Sequence, residues 1–338
     1  MKYILNELNV KTTNSFKINN LEIDLDITSL NTNKLYSVEG IEVKQKIKED
    51  ILSSKVGLDF PKYLELTITV TKKYDNPVLI NYDFNNNDSL ISKIIINYGK
   101  DSTCDFIINY KSFDNNKHFN YLVEEINMEE FSNGNITYIN NLNDISTNIM
   151  SFNDKVLNNS SITHNLIDIG GNIKIYNAYL ESMENSKNYF NNIYIGKDEN
   201  IIDINYDLKN IGKNSINDLK VEGLLKDKAL KNFRGTIDFI EGSTKAIGKE
   251  YENCVLLSDE AISRSLPMLL CHEEDVVGAH GESTGKINED KLFYLMSRGL
   301  SRKEAEKLII ISNFNSIINL INNDSIKEEV LEKIESMI

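Results

Sequence analysis

Short runs rich in Ile, Val, Tyr, Phe and Thr recur along most of this chain, separated by Asn, Asp, Lys or Gly. Examples are YLELTITVTKKY from Tyr63, SKIIINY from Ser92, NIKIYNAYL from Asn172 and NCVLLSD from Asn253. β-Branched and aromatic residues favour strands, whereas Gly and Asn favour the turns between them. Turn residues recur about every 8–12 positions, which is typical of a sandwich, a barrel or a β-helix.

The length of this strand tract favours a solenoid over a sandwich. It runs from about Pro61 to Ile287 without an obvious break where a second domain would begin. Each coil of a β-helix contacts only its neighbours, so coils can be added freely. We therefore predict a mainly β fold with a parallel β-helix core over residues 61–287, although no strict repeat motif is evident.

Residues 1–60 are predicted to be a mixed N-terminal segment. One strand is expected at Leu21–Ile27. A short helix is expected over Ile41–Ser54, because Val43, Ile47 and Ile51 are spaced four apart and would share one helical face. Gly57 would end that helix.

After Gly285 the hydrophobic period changes from two to 3.6, which predicts a helical subdomain over residues 288–338. Asn288 can cap a first helix that ends at Gly299, and Ser301 with Glu304 forms a capping box for the next. Ser325 with Glu328 predicts a third helix. The buried face of the first helix is predicted to hold Leu292, Phe293, Leu295 and Met296. The apolar stripes would pack against the β region or each other, or would bind a partner protein.

The formal net charge of −14 argues against nucleic acid and membrane surfaces as partners, because such an acidic surface repels phosphate groups. The N-terminal residues lack the apolar stretch of a signal peptide, and no apolar run approaches the length of a membrane span. We therefore expect a cytoplasmic protein. No P-loop motif is present, so any ATP hydrolysis would come from a partner.

The cysteines Cys104, Cys254 and Cys271 are too few for a disulfide framework and lack zinc-ligand spacing. Each is by default a small buried hydrophobe, and Cys104 in particular is expected to be structural. Cys271 and His272 are adjacent, so on a strand they would face opposite ways and would not bind one metal together. His118 and His164 are expected at the surface or in turns.

The C-terminal half resembles the SufB/SufD family of iron–sulfur cluster assembly proteins. The likeness is carried by LKDKALKNFRGTIDFIEGSTKA, CVLLSDEAISRSLPMLL and DVVGAHGESTGKINEDKLFYLMSRGLSRKEAEKLII, and it is specific over Phe233–Phe314. It implies a right-handed parallel β-helix with helical ends, and pairing through the β-helix as SufB–SufD heterodimers or SufB homodimers. It further implies that the C-terminal helices bind SufC, an ATPase of the ABC type. The matching partner-binding stretch contains Leu292, Phe293, Tyr294, Arg298 and Gly299.

The resemblance places a functional cysteine of SufB-type members at Cys254 and a shared histidine at His280. SufD-type members usually lack the cysteine. SufB-type members have an acidic residue directly after the histidine, where this chain has Gly281, and Glu282 is displaced by one position. The chain therefore combines a SufB-like cysteine with a SufD-like glycine.

The residues suit a transient iron–sulfur cluster. A thiolate at Cys254 can bind iron or accept sulfur, with a cysteine desulfurase as a possible donor, while His280 offers a borderline nitrogen ligand and Glu282 a hard oxygen ligand. Cys254 and His280 are 26 residues apart, about one coil, and would lie on adjacent rungs. His280 and Glu282 would share a face if Gly281 stays extended. A two-fold dimer would double these ligands.

Three functions remain open from the residues. The first is a SufB-like homodimeric scaffold that assembles a cluster with SufC and has no catalytic turnover of its own. The second is a SufD-like subunit that shapes the complex without holding a cluster. The third is a β-helix enzyme acting on polysaccharide through paired acids, which the lack of Trp and of a signal peptide disfavours.

Overall fold

The computed structural model describes residues 1–25, 27, 36–39 and 41–338. Strands occupy most of the described chain up to Gly285, and helices follow. The N-terminal strands are β1 (Lys2–Leu5), β2 (Leu21–Asp24), β3 (Tyr36–Glu39), β4 (Val43–Lys48), β5 (Leu52–Ser53) and β6 (Asp59–Phe60). The next are β7 (Tyr63–Val70), β8 (Val78–Phe84), β9 (Ser89–Tyr98), β10 (Thr103–Ser112), β11 (Phe119–Met128), β12 (Asn133–Asn141), β13 (Thr147–Val156) and β14 (Ser161–Asp168). The last strands are β15 (Ile173–Ser182), β16 (Lys187–Gly196), β17 (Ile201–Asn210), β18 (Ile216–Leu225), β19 (Leu230–Phe239), β20 (Ile247–Leu256), β21 (Ile262–Cys271) and β22 (Val277–Gly285). The helices are α1 (Glu289–Ser297), α2 (Arg302–Ile318) and α3 (Asp324–Met337).

The described strands form a parallel β-solenoid of about 8 turns, which confirms the predicted β-helix class. Strands β8 to β22 with even numbers form one sheet, here called the even sheet, and β7 to β21 with odd numbers form the odd sheet. Paired residues in the even sheet are 26 to 31 positions apart, as in Ser161 with Lys187 and Ile216 with Ile247. Alternate residues of both sheets point inward and pack into one continuous core.

A local repeat that the sequence analysis did not detect marks one corner in several coils of the solenoid. Asp101, Asn159, Asn185 and Asn214 adopt positive φ and are each followed by a buried serine. Asn and Asp tolerate this left-handed conformation better than other non-glycine residues. After Asn185 and Asn214 the serine hydroxyl donates to a carbonyl of the same turn, as Ser186 does to Met183 at 2.7 Å. The abundance of Asn therefore has a structural cause at these corners.

The predicted helix over Ile41–Ser54 is wrong, because this segment forms the strands β4 and β5. Strand β4 pairs antiparallel with β7, and β3 pairs antiparallel with β8, so both cover the N-terminal edges of the solenoid sheets. The predicted strand at Leu21–Ile27 is present as Leu21–Asp24, while position 26 lies outside the described residues. Apolar side chains of the N-terminal segment pack on the outer face of the odd sheet, including Leu5, Ile23 and Phe60.

A buried arginine ties this N-terminal segment to the solenoid. The Arg234 guanidinium is fully buried, forms an ion pair with Asp203, and donates to the carbonyl of Ile18 at 3.1 Å. Asn6 donates to the same Asp203 carboxylate at 2.9 Å. In the Arg-Gly dipeptide of the sequence motif, the Arg234 side chain therefore points out of the solenoid and binds the N-terminal segment.

Replacing Arg234 by methionine is expected to lower the free energy of unfolding by about 3 kcal/mol, because Asp203 would remain buried without its cation. Urea denaturation measures this change. Arg264→Met is the matched control, since the partly buried Arg264 donates to Asn232 at 3.3 Å and its loss should cost about 1 kcal/mol. Equal effects of the two substitutions would contradict this interpretation.

The C-terminal helices pack back along the outer face of the even sheet, which is one of the alternatives that the sequence left open. Lys111 bonds Glu329 at 2.5 Å, and Asn322 bonds Asp105 at 3.0 Å. The apolar contact joins sheet residues Ile107, Ile139, Ile167, Ile193, Leu224 and Val255 to helix residues Leu292, Ala305, Ile310, Phe314, Ile317, Val330 and Ile334. Among the described residues, no helix is long and apolar enough to cross a membrane.

Most of the predicted helix signals are confirmed. The Asn288 side chain caps α1, Gly299 follows its end with φ of 101°, and Ser301 with Glu304 forms a capping box. The predicted cap at Ser325 is wrong. The cap lies two residues earlier, at Asn323, whose side chain accepts a hydrogen bond from the backbone N–H of Ile326. Asparagine caps as well as serine does, so the local signal was ambiguous.

Candidate functional site

Cys254 lies on the inward face of β20, near the C-terminal end of the solenoid, and is 1% exposed. Its register neighbours are Gly223 on β18 and Thr284 on β22, the last strand of the even sheet. The thiol is free, like those of Cys104 and Cys271. It is therefore covered by a single further rung of the same sheet.

Polar groups surround this thiol in the last coils. The Lys231 ammonium, itself fully buried, donates to Glu252 at 2.5 Å and to Ser265 at 2.7 Å. The Tyr194 hydroxyl donates to the same Glu252 oxygen at 2.9 Å. Burial raises the pKa of Cys254, while the positive charge of Lys231 and a hydrogen bond from Tyr194 act in the opposite direction. The net effect is a raised pKa, so the buried Cys254 thiol holds its proton in this structure, and the charge of Lys231 opposes that only in part.

Two glycines make room for these side chains. A Cβ atom at Gly223 would overlap the Tyr194 ring, and one at Gly235 would overlap the Glu250 carboxyl. Gly235 is the inward half of the Arg-Gly dipeptide, next to the outward Arg234. In this dipeptide Arg234 therefore binds the N-terminal segment on the outer face, while Gly235 leaves space for the Glu250 carboxyl on the inner face.

His280 and Glu282 share the inward face of β22, as expected, because Gly281 is extended within the strand. His280 pairs with Glu250, and Glu282 pairs with Glu252. Both are exposed, because the inner face of the last rung is open to solvent. The inward face therefore holds two adjacent rows of side chains that can bind a metal. Glu250, Glu252 and Cys254 form the row on β20, and His280 and Glu282 form the row on β22.

Cys254 and His280 lie on adjacent rungs, but they do not face each other. The coil between β20 and β22 takes 30 residues, since Cys254 pairs with Thr284, whereas Cys254 and His280 are 26 apart. The four-residue offset corresponds to about 13 Å along the strand. Glu252 and Glu282 lie between them on the same face. A single chain therefore does not bring the thiol and the imidazole onto one metal ion.

Glu250 is a buried carboxyl without a hydrogen-bond partner among the described residues. Burial is the main cause that raises its pKa to about 8, and the negative charges of Glu252 and Glu282 contribute to the same rise. At neutral pH it therefore holds a proton beside His280. A carboxyl in this position can exchange its proton for a hard cation such as ferrous iron.

Sequence reasoning missed several of these residues, namely Lys231, Tyr194, Glu250 and Glu252. Glu250, Glu252 and Cys254 are spaced by two. Their position on one face could therefore have been predicted from the assignment of β20 as a strand. Lys231 and Tyr194 lie on other strands, and no local spacing indicates that they reach Cys254.

The other predicted residues have diverse positions. Cys104 is fully buried, in keeping with a structural role. Cys271 is exposed at the end of β21, and His272 lies 3.8 Å from Asp238. The expectation that His118 and His164 are surface or turn residues is wrong in its main point. His164 is on β14 in the core, and His118 is in the connection before β11 but buried.

On α1 the predicted buried face is partly wrong. Leu292 is 1% exposed and packs on the even sheet, so in this structure it is not available to a partner. Phe293 and Met296 are instead 75% and 42% exposed. Tyr294 is also exposed, and the Arg298 guanidinium lies 5.3 Å from the centre of its ring. The outer side of α1 therefore presents aromatic side chains to solvent.

A family model described as the SUF system FeS cluster assembly, SufBD core domain matches residues 82–313 of this chain. The chain is 29% identical over 143 residues to the iron–sulfur cluster assembly protein SufD of Bacillus subtilis, across 42% of the chain and 33% of that protein. It is 28% identical over 111 residues to the SufD protein of Escherichia coli, across 33% of the chain and 26% of that protein. These matches span less than two thirds of either relative.

A SufBD family protein of Galdieria sulphuraria is 27% identical over 155 residues, across 45% of this chain and 69% of that protein. The family model covers more than half of the chain and includes both the Cys254 and the His280 strands. The solenoid is the fold that the resemblance to this family implies. The protein belongs to the SufB/SufD family of the SUF iron–sulfur cluster assembly system.

Proposed function

We propose that this chain is a cytoplasmic scaffold on which a nascent iron–sulfur cluster is assembled between two copies, with a SufC-type ATPase as partner. The observation that carries the proposal is the buried Cys254 thiol beside the Lys231 ammonium, below an open rung that bears His280 and Glu282. Free cysteines agree with a reducing compartment. The chain itself performs no catalytic turnover in this proposal.

The open end of the solenoid suits a second copy. Strands β21 and β22 are the terminal strands of their sheets, and no described strand pairs with their outer edges. The opposite end is covered by β3 and β4. An unpaired edge is a template for a further strand, and two-fold pairing there would present both sets of ligands to one space. In such a dimer the offset of about 13 Å between Cys254 and His280 of one chain would matter less for metal binding, because ligands from the second copy complete the site.

Cys254 supplies the sulfur chemistry in this scheme. Its thiolate attacks the outer sulfur of a donor persulfide, for which a cysteine desulfurase is the candidate, and the donor thiolate leaves. The new persulfide sulfur and the iron held by the carboxylates then meet at the interface. Because Cys254 is 1% exposed, the last rung must separate before either step. An ATPase partner is a source of the work that this separation needs.

Anaerobic reconstitution of the full chain with ferrous iron and sulfide tests the proposal. We expect visible charge-transfer bands, retention of iron and sulfide through gel filtration, and a native mass of two chains. A chain that stays colourless and releases its iron during filtration would refute the scaffold function.

A second candidate is a SufD-like subunit that shapes the complex without holding a cluster. It is favoured by Gly281 after His280 and by the similarity to two proteins named SufD. Under this alternative the chain forms a stable complex with the ATPase but binds no cluster by itself. The same reconstitution, run with and without the ATPase, separates the two functions.

The exposed aromatic side of α1 is proposed to bind the SufC-type ATPase. Joint replacement of Phe293 and Tyr294 by serine is expected to weaken co-purification with the ATPase at least about tenfold, because aromatic anchors carry much of an interface's binding energy. Leu308→Ser is the matched control, since Leu308 is 50% exposed on α2. Unchanged capture by the double variant would place the ATPase contact elsewhere.

A further inference from the structure

A second group of metal-ligand side chains lies deep in the solenoid, away from Cys254. Glu124 on β11, Asp154 on β13 and His164 on β14 are all buried, and one ligand atom from each lies within 4.8 Å of the other two. Strands β14 and β20 are separated by β16 and β18 in the even sheet, about 14 Å along the solenoid axis. This triad therefore belongs to neither the cysteine site nor the open end.

The hydrogen bonds around the triad leave two buried atoms without a partner among the described residues, Oδ2 of Asp154 and Nδ1 of His164. Oε2 of Glu124 accepts a hydrogen bond from the Tyr138 hydroxyl, and Oδ1 of Asp154 accepts one from the backbone N–H of Ile126 at 2.9 Å. These two are called the outer oxygens, and Oε1 of Glu124 and Oδ2 of Asp154 are called the inner oxygens. The two inner oxygens both approach Nε2 of His164, at 3.0 Å and 3.2 Å. An imidazole nitrogen carries at most one hydrogen, so it cannot donate a good hydrogen bond to both carboxylates. Accordingly, the Asp154 inner oxygen has no hydrogen-bond partner among the described residues.

The same spacing suits a metal ion. Donor atoms that bind one ion at about 2.1 Å lie roughly 3.0–3.4 Å from each other in octahedral or tetrahedral geometry. One imidazole and two carboxylates are a ligand set for divalent first-row ions, and such an ion would exactly neutralise two buried carboxylates beside a neutral histidine. Tyr138 and the Ile126 amide already hold the outer oxygens, as supporting partners of metal ligands do. The rings of Phe152 and Phe190 flank His164.

We propose that Glu124, Asp154 and His164 bind one divalent first-row transition ion inside the solenoid. Glu124 lies on β11, about one coil before Asp154 on β13, and His164 lies on β14 of the opposite sheet, so the site forms only when the coils stack. The ion loads during folding and is afterwards enclosed. It stabilises the stacked coils and is not part of the cluster assembled at the open end.

The test is the metal content of the full chain, expressed or refolded with manganese, ferrous iron or zinc supplied alone. One of these ions is expected at about one per chain after dialysis against a chelator, and its release is expected only in denaturant. Cys254→Ala should keep the ion, which separates this site from the proposed scaffold site. His118→Gln is the matched control, because His118 is a buried histidine paired with a single carboxylate, that of Asp114.

Glu124→Gln and Asp154→Asn should each lower the retained metal at least about tenfold while His118→Gln retains it. X-ray absorption of the wild-type protein provides a measurement that does not depend on variant folding, and it should show nitrogen and oxygen ligands at about 2.1 Å without sulfur. Wild-type protein that retains none of the three ions would mean that a proton alone holds the triad, and would overturn the proposal. Sulfur ligands, or full retention by both amide variants, would overturn it as well.

Discussion

Replacement of Cys254 by alanine is expected to remove at least nine tenths of the iron and sulfide that the wild-type chain retains after anaerobic reconstitution. The inward face near this thiol otherwise offers carboxylates, an imidazole and a lysine, and thiolate is the donor on which iron–sulfur clusters depend. The measurement is visible absorption together with iron and sulfide per chain.

Cys104→Ala is the matched control for this substitution. Cys104 is likewise a fully buried thiol on the inward face, and burial raises its pKa to about 12, but it lies near the N-terminal end of the solenoid. It lacks a neighbouring cation of the kind that Lys231 provides to Cys254. Its loss should leave the bound iron and sulfide unchanged. Equal retention by wild type and Cys254→Ala would instead assign the thiol to core packing and favour the SufD-like alternative.

Replacement of Glu250 by glutamine is expected to remove the contribution of this carboxyl to the pH dependence of stability between about pH 5 and pH 9. Burial raises the pKa of Glu250 to about 8, well above the ordinary value of 4.5. The unfolded chain therefore releases this proton near pH 4.5, while the folded chain retains it until about pH 8. Stability is highest below pH 4.5 and falls as the pH rises through this window.

At about 1.4 kcal/mol per pKa unit, wild-type protein should lose about 5 kcal/mol from this group by pH 9. Glutamine is neutral throughout, so the variant should be the more stable protein at pH 9. Urea denaturation at several pH values gives the free energies of unfolding. Glu184→Gln, at an exposed turn position, should follow the wild-type profile. Parallel profiles for wild type and Glu250→Gln would show that the Glu250 carboxyl is ionised in the folded protein.

The same proton links Glu250 to the proposed function. A cation that binds Glu250 must displace the proton, so iron uptake at the open end should release acid and become tighter as the pH rises. His280 and Glu282 lie beside this group on the last rung. The pH dependence of stability and that of iron uptake therefore have opposite signs.

The N-terminal segment illustrates where the hydrophobic pattern was ambiguous. Val43, Ile47 and Ile51 are spaced by four, and a spacing of four keeps one face in a helix and also in a strand, because four is an even number. Strand β4 forms because the edge of β7 needs a partner, and that edge exists only in the assembled solenoid. Three lysines at alternate positions of β4 also suit an exposed sheet edge.

Local spacing determined which residues of one strand share a face, and it did so correctly for His280 with Glu282. The length of the coil between two strands is not local, since it depends on the turns, and coils here vary from 26 to 32 residues. That variation placed Cys254 opposite Thr284 and four residues away from His280. The Asn-Ser pairs at several corners are recognised as a repeat only once the corner geometry is known.

By itself the sequence determined the class of fold, the change from strands to helices after Gly285, most helix caps and the family, because these depend on short-range patterns and motifs. The tertiary structure alone decided which strands stack, that Lys231 and Tyr194 both donate to Glu252 on the face that holds Cys254, and that Glu124, Asp154 and His164 meet in the core. Those contacts join residues on different strands. Their partners are chosen by the stacking of whole strands, which no local pattern encodes.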